Sequence, residues 1–171
     1  MTRKFAREVD PAADAGSESG QLPSIVVMDG LRRIVRALRQ ADAKSRSRSG
    51  IPSAQLFVLR QLAGDRPLSI GDLSHATLTS QSSVSEVVTR LEAGGQIRRT
   101  TASGDNRRAE ISLTAAGRKT LKVADQPFQE RLVSALCNLA YEDQQALAKG
   151  MSAWLSEAGI SDAPSTMFFE P

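Results

Sequence analysis

Cysteine and histidine are almost absent from the 171 residues, being represented by Cys137 and His75 alone. One cysteine excludes an internal disulfide framework. One histidine beside it cannot furnish a structural zinc site, so no metal and no cofactor is expected. The same scarcity excludes a Cys/His protease arrangement. No apolar run approaches the roughly 18 residues of a membrane-spanning helix, and Met1 to Pro11 (M-T-R-K-F-A-R-E-V-D-P) lacks the apolar centre of a secretory signal. The expectation is a soluble, cytoplasmic protein of one domain, or at most two small ones. A phosphate loop, a Ser/His/Asp set and a supported acid pair are missing too, which argues against an enzyme.

What is present is charge, unevenly placed. The net +3 divides into 11 basic and 7 acidic residues over 1–65, 9 and 5 over 66–122, and 2 and 7 over 123–171. The first two thirds are therefore basic and the last third acidic. Leu31 to Arg48 holds Arg32, Arg33, Arg36, Arg39, Lys44, Arg46 and Arg48 against Asp42 alone, a balance suited to DNA or an acidic membrane surface, or to a solvated helix face. Shape has to decide between them.

Residues 1–23, rich in Ala, Asp, Glu, Ser, Gly and Pro, read as a tail with weak preference for structure. From Ser24, a suitable N-cap, Ile25, Met28, Leu31, Val35 and Leu38 recur every three or four residues and predict a helix to about Lys44. After the break at S-R-S-R-S-G, Pro52 can open a second helix through Leu56, Leu59 and Leu62. Pro67-Leu68-Ser69 is too short for more than one strand pairing. Ser69 with Asp72 makes a capping-box-like start to a short helix, Ile70 to about Ala76. Three or four residues later Ser80 caps another helix, which ends at Gly94-Gly95. Two short helices joined by such a turn are the signature of a helix-turn-helix.

At 100° per residue the second of these helices has two unlike faces. Val84, Val87, Val88 and Leu91 fall on one, while Ser82, Glu86, Thr89 and Ala93 fall opposite, flanked by Ser85 and Arg90. Small hydroxyls with Glu and Arg suit base edges in a major groove. An ordinary amphipathic surface helix has the same pattern. The following residues separate the two readings. Gln96 to Thr101 is strand-like, Ala102 to Asn106 reads as a hairpin tip, and Arg108 to Leu113 alternates back with Ile111 and Leu113 inward. Arg98, Arg99, Arg107 and Arg108 line the arms and tip, and Asp105 is placed to pin one of them by a bidentate pair. A helix-turn-helix followed by an arginine-bearing hairpin is the plan of a winged helix.

Thr114 then caps a long helix through Leu121, Phe128, Leu132 and Leu136, with a kink expected at Pro127. A last helix from about Glu142 to Glu157 carries Leu147, Met151, Trp154 and Leu155. Three apolar-faced helices outside a compact DNA-binding unit expose more hydrophobic stripe than that unit covers, and an intertwined dimer is their natural use. The predicted class is mainly α: a winged helix-turn-helix with a two-stranded wing plus N- and C-terminal dimerisation helices. Its parts are a tail (1–23), a first dimerisation helix with basic linker (24–50), the DNA-binding lobe (51–113), C-terminal dimerisation helices (114–158) and a second tail (159–171).

Four stretches resemble the MarR-type transcriptional regulators over roughly Ser24 to Ala158. They are Gln55 with Val58 and Leu59; L-S-H-A-T-L-T-S-Q-S-S-V-S from Leu73; L-E-A-G-G-Q-I-R-R from Leu91; and D-N-R-R-A-E-I-S-L-T-A-A-G-R from Asp105. The last matches that family's wing pattern, Asp-x-Arg and then Leu-Thr-x-x-Gly, in type and spacing. The resemblance implies a recognition helix from about Ser80 to Ala93 and a wing whose Arg107 and Arg108 approach the minor groove while Asp105 braces them. It also implies a homodimer on a pseudo-palindromic operator, often repressing, and released by small aromatic or phenolic compounds or by thiol oxidation. The expected DNA-contact residues are Ser82, Ser83, Ser85, Glu86, Thr89, Arg90, Arg99, Arg107 and Arg108. Departures from the family pattern are Leu78, where a glycine is common in the turn; Ala140, where Ser or Thr usually caps the last helix; and Gly117, which cannot complete a capping box with Thr114.

Cys137 lies among Leu136, Leu139 and Ala140, and a buried, inert thiol is expected there. His75 is expected at the surface or on a phosphate, and the apolar cluster Met167, Phe168, Phe169 is expected to dock. The function expected is a dimeric, sequence-specific transcriptional repressor released by an effector. Its rival is a winged-helix protein-interaction module with an incidental basic surface.

Overall fold

A computed structural model describes residues 22–64, 66–102 and 105–168, with side chains placed outside 101–108. The chain divides into two units between Arg33 and Ile34. In the first, α1 (Pro23–Ser49) begins with Pro23, not with Ser24, in its first turn. A proline there forgoes an N–H that has no helical partner in any case. Ile25, Val26, Val27, Met28 and Leu31 are all exposed. Arg33 pairs with Asp29 one turn back at 2.6 Å.

The second unit carries the rest of α1 and then α2 (Ser53–Gln61), α3 (Ile70–Thr77), α4 (Gln81–Ala93), β1 (Ile97–Ala102), β2 (Asp105–Leu113), α5 (Ala115–Val123), α6 (Phe128–Cys137) and α7 (Tyr141–Glu157). Its core gathers Phe57, Val58, Leu59 and Leu62 of α2, Leu73 of α3, the four apolar residues of α4, and Ile97, Ile111 and Leu113 of the hairpin. Each such side chain, fully removed from water, contributes about 1.5–3 kcal/mol. The strands pair antiparallel, Ile97 opposite Leu113 and Arg99 opposite Ile111, with an irregularity after Thr101. Leu68 makes the single bridge that its short segment allows, to Ile111.

The caps follow the sequence where hydroxyls were available. Ser69 and Asp72 complete a reciprocal capping box on α3, and Ser80 accepts from the Ser83 N–H on α4. Pro52 stands just before α2 instead of inside its first turn. Of the two glycines after α4, Gly95 alone is left-handed, at φ +67. Gly117 has a different reason to be glycine: a Cβ there would lie 2.1 Å from the Gln96 carbonyl oxygen. Thr114 donates to the carbonyls of Gly95 and Gln96, so the start of α5 is sewn to the turn between α4 and β1.

Two expectations fail. The long helix after Thr114 is not kinked but divided: a helix continued through Pro127 would set its ring against the Val123 carbonyl four residues back, and α5 ends there, with Ala124 extended at φ −85, ψ 143. Cys137 is exposed, not buried. Its helix contributes only Gln129 to the buried set, and α7 contributes nothing. Met167 does dock, at 5% exposure, in the core of the lobe. Phe168 stays exposed, and Phe169 lies outside the described residues.

Leu78, in the turn between α3 and α4, is the one non-glycine residue with positive φ among those described (φ 51, ψ 41). The left-handed conformation costs an L-residue roughly 1–2 kcal/mol, whereas glycine gives up about 0.5–1 kcal/mol of chain entropy on folding. With Leu78 largely exposed, Leu78→Gly is expected to raise stability by about 0.5–1 kcal/mol. Urea midpoints of the two chains compare them directly, and a lower midpoint for the variant would show that the leucine side chain is packed in solution.

Candidate nucleic-acid interface

One half of α4 is fixed by burial: Val84, Val87, Val88 and Leu91 are each at most 1% exposed. The opposite half is thereby turned outward, where Ser82, Glu86 and Thr89 are exposed and Ser85 and Arg90 half-buried. Ser83 is the exception among the expected contact residues. It is 6% exposed, and its hydroxyl donates to the Ser165 carbonyl at 3.1 Å, so it cannot meet a ligand on the outer face. The signal for this was in the sequence, since Ser83 lies four residues before Val87 and so shares the packed side.

Strand alternation places Ile97 and Arg99 on one face of the hairpin and Arg98 and Thr100 on the other. Ile97 is buried against the lobe. Arg99 therefore points back at α4, where its Nη2 donates to the Thr89 hydroxyl at 2.9 Å and its Nε lies 3.0 Å from the Glu92 carboxylate. Thr89 in turn donates to the Ser85 carbonyl. The Thr89 hydroxyl proton is thus used within the helix, leaving its methyl and remaining lone pair for a partner. Arg99, expected on DNA, is first a strut between wing and helix. Arg98 is on the outer face and donates to Ser112 at 3.1 Å. The backbone of Arg107 and Arg108 runs in β2, and their side chains, with that of Asp105, lie outside the described residues. His75 is exposed in the last turn of α3.

A second feature lies where α1, α2 and the start of α6 meet. A cavity of about 300 Å³ is lined by Ala37, Ala41, Leu56 and Phe128 together with Lys44, Arg48, Asp125 and Arg131. Asp125, on the extended stretch between α5 and α6, takes Lys44 at 2.8 Å and Arg48 at 2.9 Å. The hydrogen bond from Lys44, with Arg48 beside it, holds the Asp125 carboxyl below the usual carboxylate range. Among the described residues no group of three or more His, Cys, Asp or Glu is placed to hold a metal, and no helix is long and apolar enough to cross a membrane.

The outward polar helix with its braced wing matches known proteins. The MarR family model matches residues 49–109. The HTH-type transcriptional regulator FarR of Neisseria gonorrhoeae is 28% identical over 117 residues, covering 68% of this chain and 78% of that one. Sco3205, a MarR family transcriptional regulator from Streptomyces coelicolor solved in complex with DNA, superposes with a TM-score of 0.58 at 22% identity, over 84% of this chain and 96% of its own. A probable transcriptional regulator from Pseudomonas aeruginosa gives 0.50 at 28% identity, over 75% and 98%.

The Arg99 strut can be checked on its own. Because both its partners are substantially exposed, Arg99→Ala is expected to cost only about 0.5–1 kcal/mol in urea denaturation. Arg99→Lys should recover little of that, since an ammonium cannot span a carboxylate and a hydroxyl as the planar fork does. Equal stability of all three chains would mean that the strut does not form in solution.

Proposed function

We propose that the chain, whose residues 49–109 match the MarR family model, is a DNA-binding transcriptional regulator of that kind, acting as a homodimer on a pseudo-palindromic operator, as a repressor released by a small effector. The observation that carries the DNA reading is α4, packed along one side and offering Ser82, Ser85, Glu86, Thr89 and Arg90 along the other. Those residues are assigned to base edges, and Arg107 and Arg108 of the wing to phosphates or the minor groove. Ser83 is withdrawn from the contact set, and Arg99 is reassigned to holding the wing.

The dimer reading rests on what the single chain leaves uncovered. Leu136, Leu139, Tyr141, Leu147 and Met151 are exposed on the C-terminal helices, as are the apolar residues at the start of α1. Faces of this size on a monomer mark an interface, and a symmetric pair is the commonest closed solution. The effector reading rests on the cavity lined in part by Lys44, Arg48 and Arg131. Its volume is at the small end for ligand sites, its walls are largely apolar, and its cations suit a small aromatic bearing a carboxylate or phenolate.

Mass in light scattering tests the assembly: twice the 18.3 kDa of one chain is expected at micromolar concentration, and a monomer there overturns the architecture. DNA binding is tested by titrating parent, Arg107→Ala and Arg90→Ala against operator and random duplexes at several salt concentrations. Arg107→Ala should weaken both duplexes by similar factors and lower the salt slope by about one unit per lost phosphate contact. Arg90→Ala should cost about 1–3 kcal/mol on the operator and less on random sequence if it pairs with a guanine. Unchanged binding by both variants, or none by the parent, favours the interaction-module reading.

A further inference from the structure

The last described residues return from α7 to the first turn of α4. Ser165 accepts the Ser83 hydroxyl at 3.1 Å, Met167 is buried in the lobe core, and the Phe168 carbonyl accepts from Gln129 Nε2 of α6 at 3.3 Å. This segment therefore stands on the recognition helix at one point and on α6 at another. Packing explains Met167. It does not explain the hydrogen bond at Ser83.

That bond has a consequence for an exposed residue. The Ser80 hydroxyl oxygen lies 2.9 Å from that of Ser83 and 3.0 Å from that of Ser82, and it accepts the Ser83 N–H at 3.3 Å. A serine hydroxyl has one proton and two lone pairs. The Ser83 proton goes to the Ser165 carbonyl, which has none to give. Ser80 must then donate to Ser83, which leaves Ser82 to donate to Ser80. The three hydroxyls are ordered in one direction by an acceptor on the C-terminal segment. Ser82, exposed at the start of α4, turns its proton inward and presents lone pairs only.

We propose that the segment 161–168 is a specificity-determining part of the DNA-binding unit, acting through Ser83 and Ser80 to make Ser82 an acceptor toward DNA. This rests on the DNA-binding reading given above. A serine free to rotate takes either a donor or an acceptor on a base edge; one held as an acceptor selects the exocyclic amino group of adenine or cytosine in the major groove. Ser83 is then a positioning residue, and the tail a structural input to base choice at one step of each half-site.

The test selects duplexes from a random pool with the full chain, followed by binding to variants of the selected site changed one base pair at a time. The parent should prefer adenine or cytosine by about fivefold at the step facing Ser82, the size that one hydrogen bond supplies. Ser83→Ala, which removes only the hydroxyl, should reduce that preference below about twofold at that step and leave the other steps as they were. Ser82→Ala should do the same, and the double variant should lose nothing more. Retained preference in Ser83→Ala, or an equal loss at every step, overturns the proposal while leaving the DNA-binding reading intact. Failure of the parent to select any sequence refutes that reading and the proposal together.

Discussion

Burial of one side of α4 is the constraint from which the rest follows. Val84, Val87, Val88 and Leu91 sit at the centre of a core to which α2, α3 and the hairpin all contribute. A helix anchored this way cannot rotate about its axis without exposing four aliphatic side chains, at about 1.5–3 kcal/mol each. Its outer row is therefore presented in one orientation, which a surface needs if hydrogen-bond geometry is to distinguish one base edge from another. The glycine at 117 belongs to the same constraint. It lets α5 close on the Gln96 carbonyl, and so fixes where β1 leaves the helix.

On the proposed DNA-binding reading, holding the wing and contacting DNA compete for the same residues. Arg99 spends its guanidinium on Thr89 and Glu92, so part of the basic charge counted on the hairpin is neutralised inside the protein. Arg98, on the outer face, donates to Ser112 across the ladder. On the first helix Arg33, Lys44, Arg46 and Arg48 are likewise paired, with Asp29, Asp125, Asp42 and Asp125 respectively. On the proposed DNA-binding reading, α4 supplies shape and hydrogen bonds, and cations that remain unpaired supply affinity that weakens with salt.

Most of the lobe was legible because its signals are local. The capping box at Ser69, the cap at Ser80, the valine stripe and the alternation around Ile111 each need only three to seven residues, and each forms where the pattern put it. The MarR resemblance on the turn motif and the first residues of the wing motif agrees with the family model, which matches 49–109. What escaped was decided elsewhere in the chain. The inward turn of Ser83 was readable from its spacing to Val87, but its acceptor is 82 residues away. Arg99 was placed by charge instead of by strand parity, which assigns it to the inner face beside Ile97. The division at Pro127 was foreshadowed by the proline itself, whose ring excludes a helical carbonyl four residues back. Cys137 looked buried because its neighbours are apolar, whereas in one chain those neighbours are themselves exposed.

Under the effector reading proposed above, the Asp125 contacts at the cavity offer a route from a bound ligand to α4. Lys44 and Arg48 come from α1 and Asp125 from the stretch between α5 and α6, so a single carboxylate ties two parts of the chain that are otherwise joined through the lobe. An incoming carboxylate would compete with Asp125 for the same two cations. If it wins, the α5–α6 break loses its tether to α1. The movement that follows can pass in either of two directions: through α5 to the Gln96 carbonyl and the base of the wing, or through α6, where Arg60 pairs with Glu130 at 2.8 Å, to α2 and the core behind α4. Exposed ion pairs of this kind contribute little stability on their own, which makes the tether easy to exchange. A regulator needs a contact that holds without a ligand and yields to one, and a half-exposed carboxylate between two cations meets both conditions better than a buried pair, whose rupture would strand charge in the core.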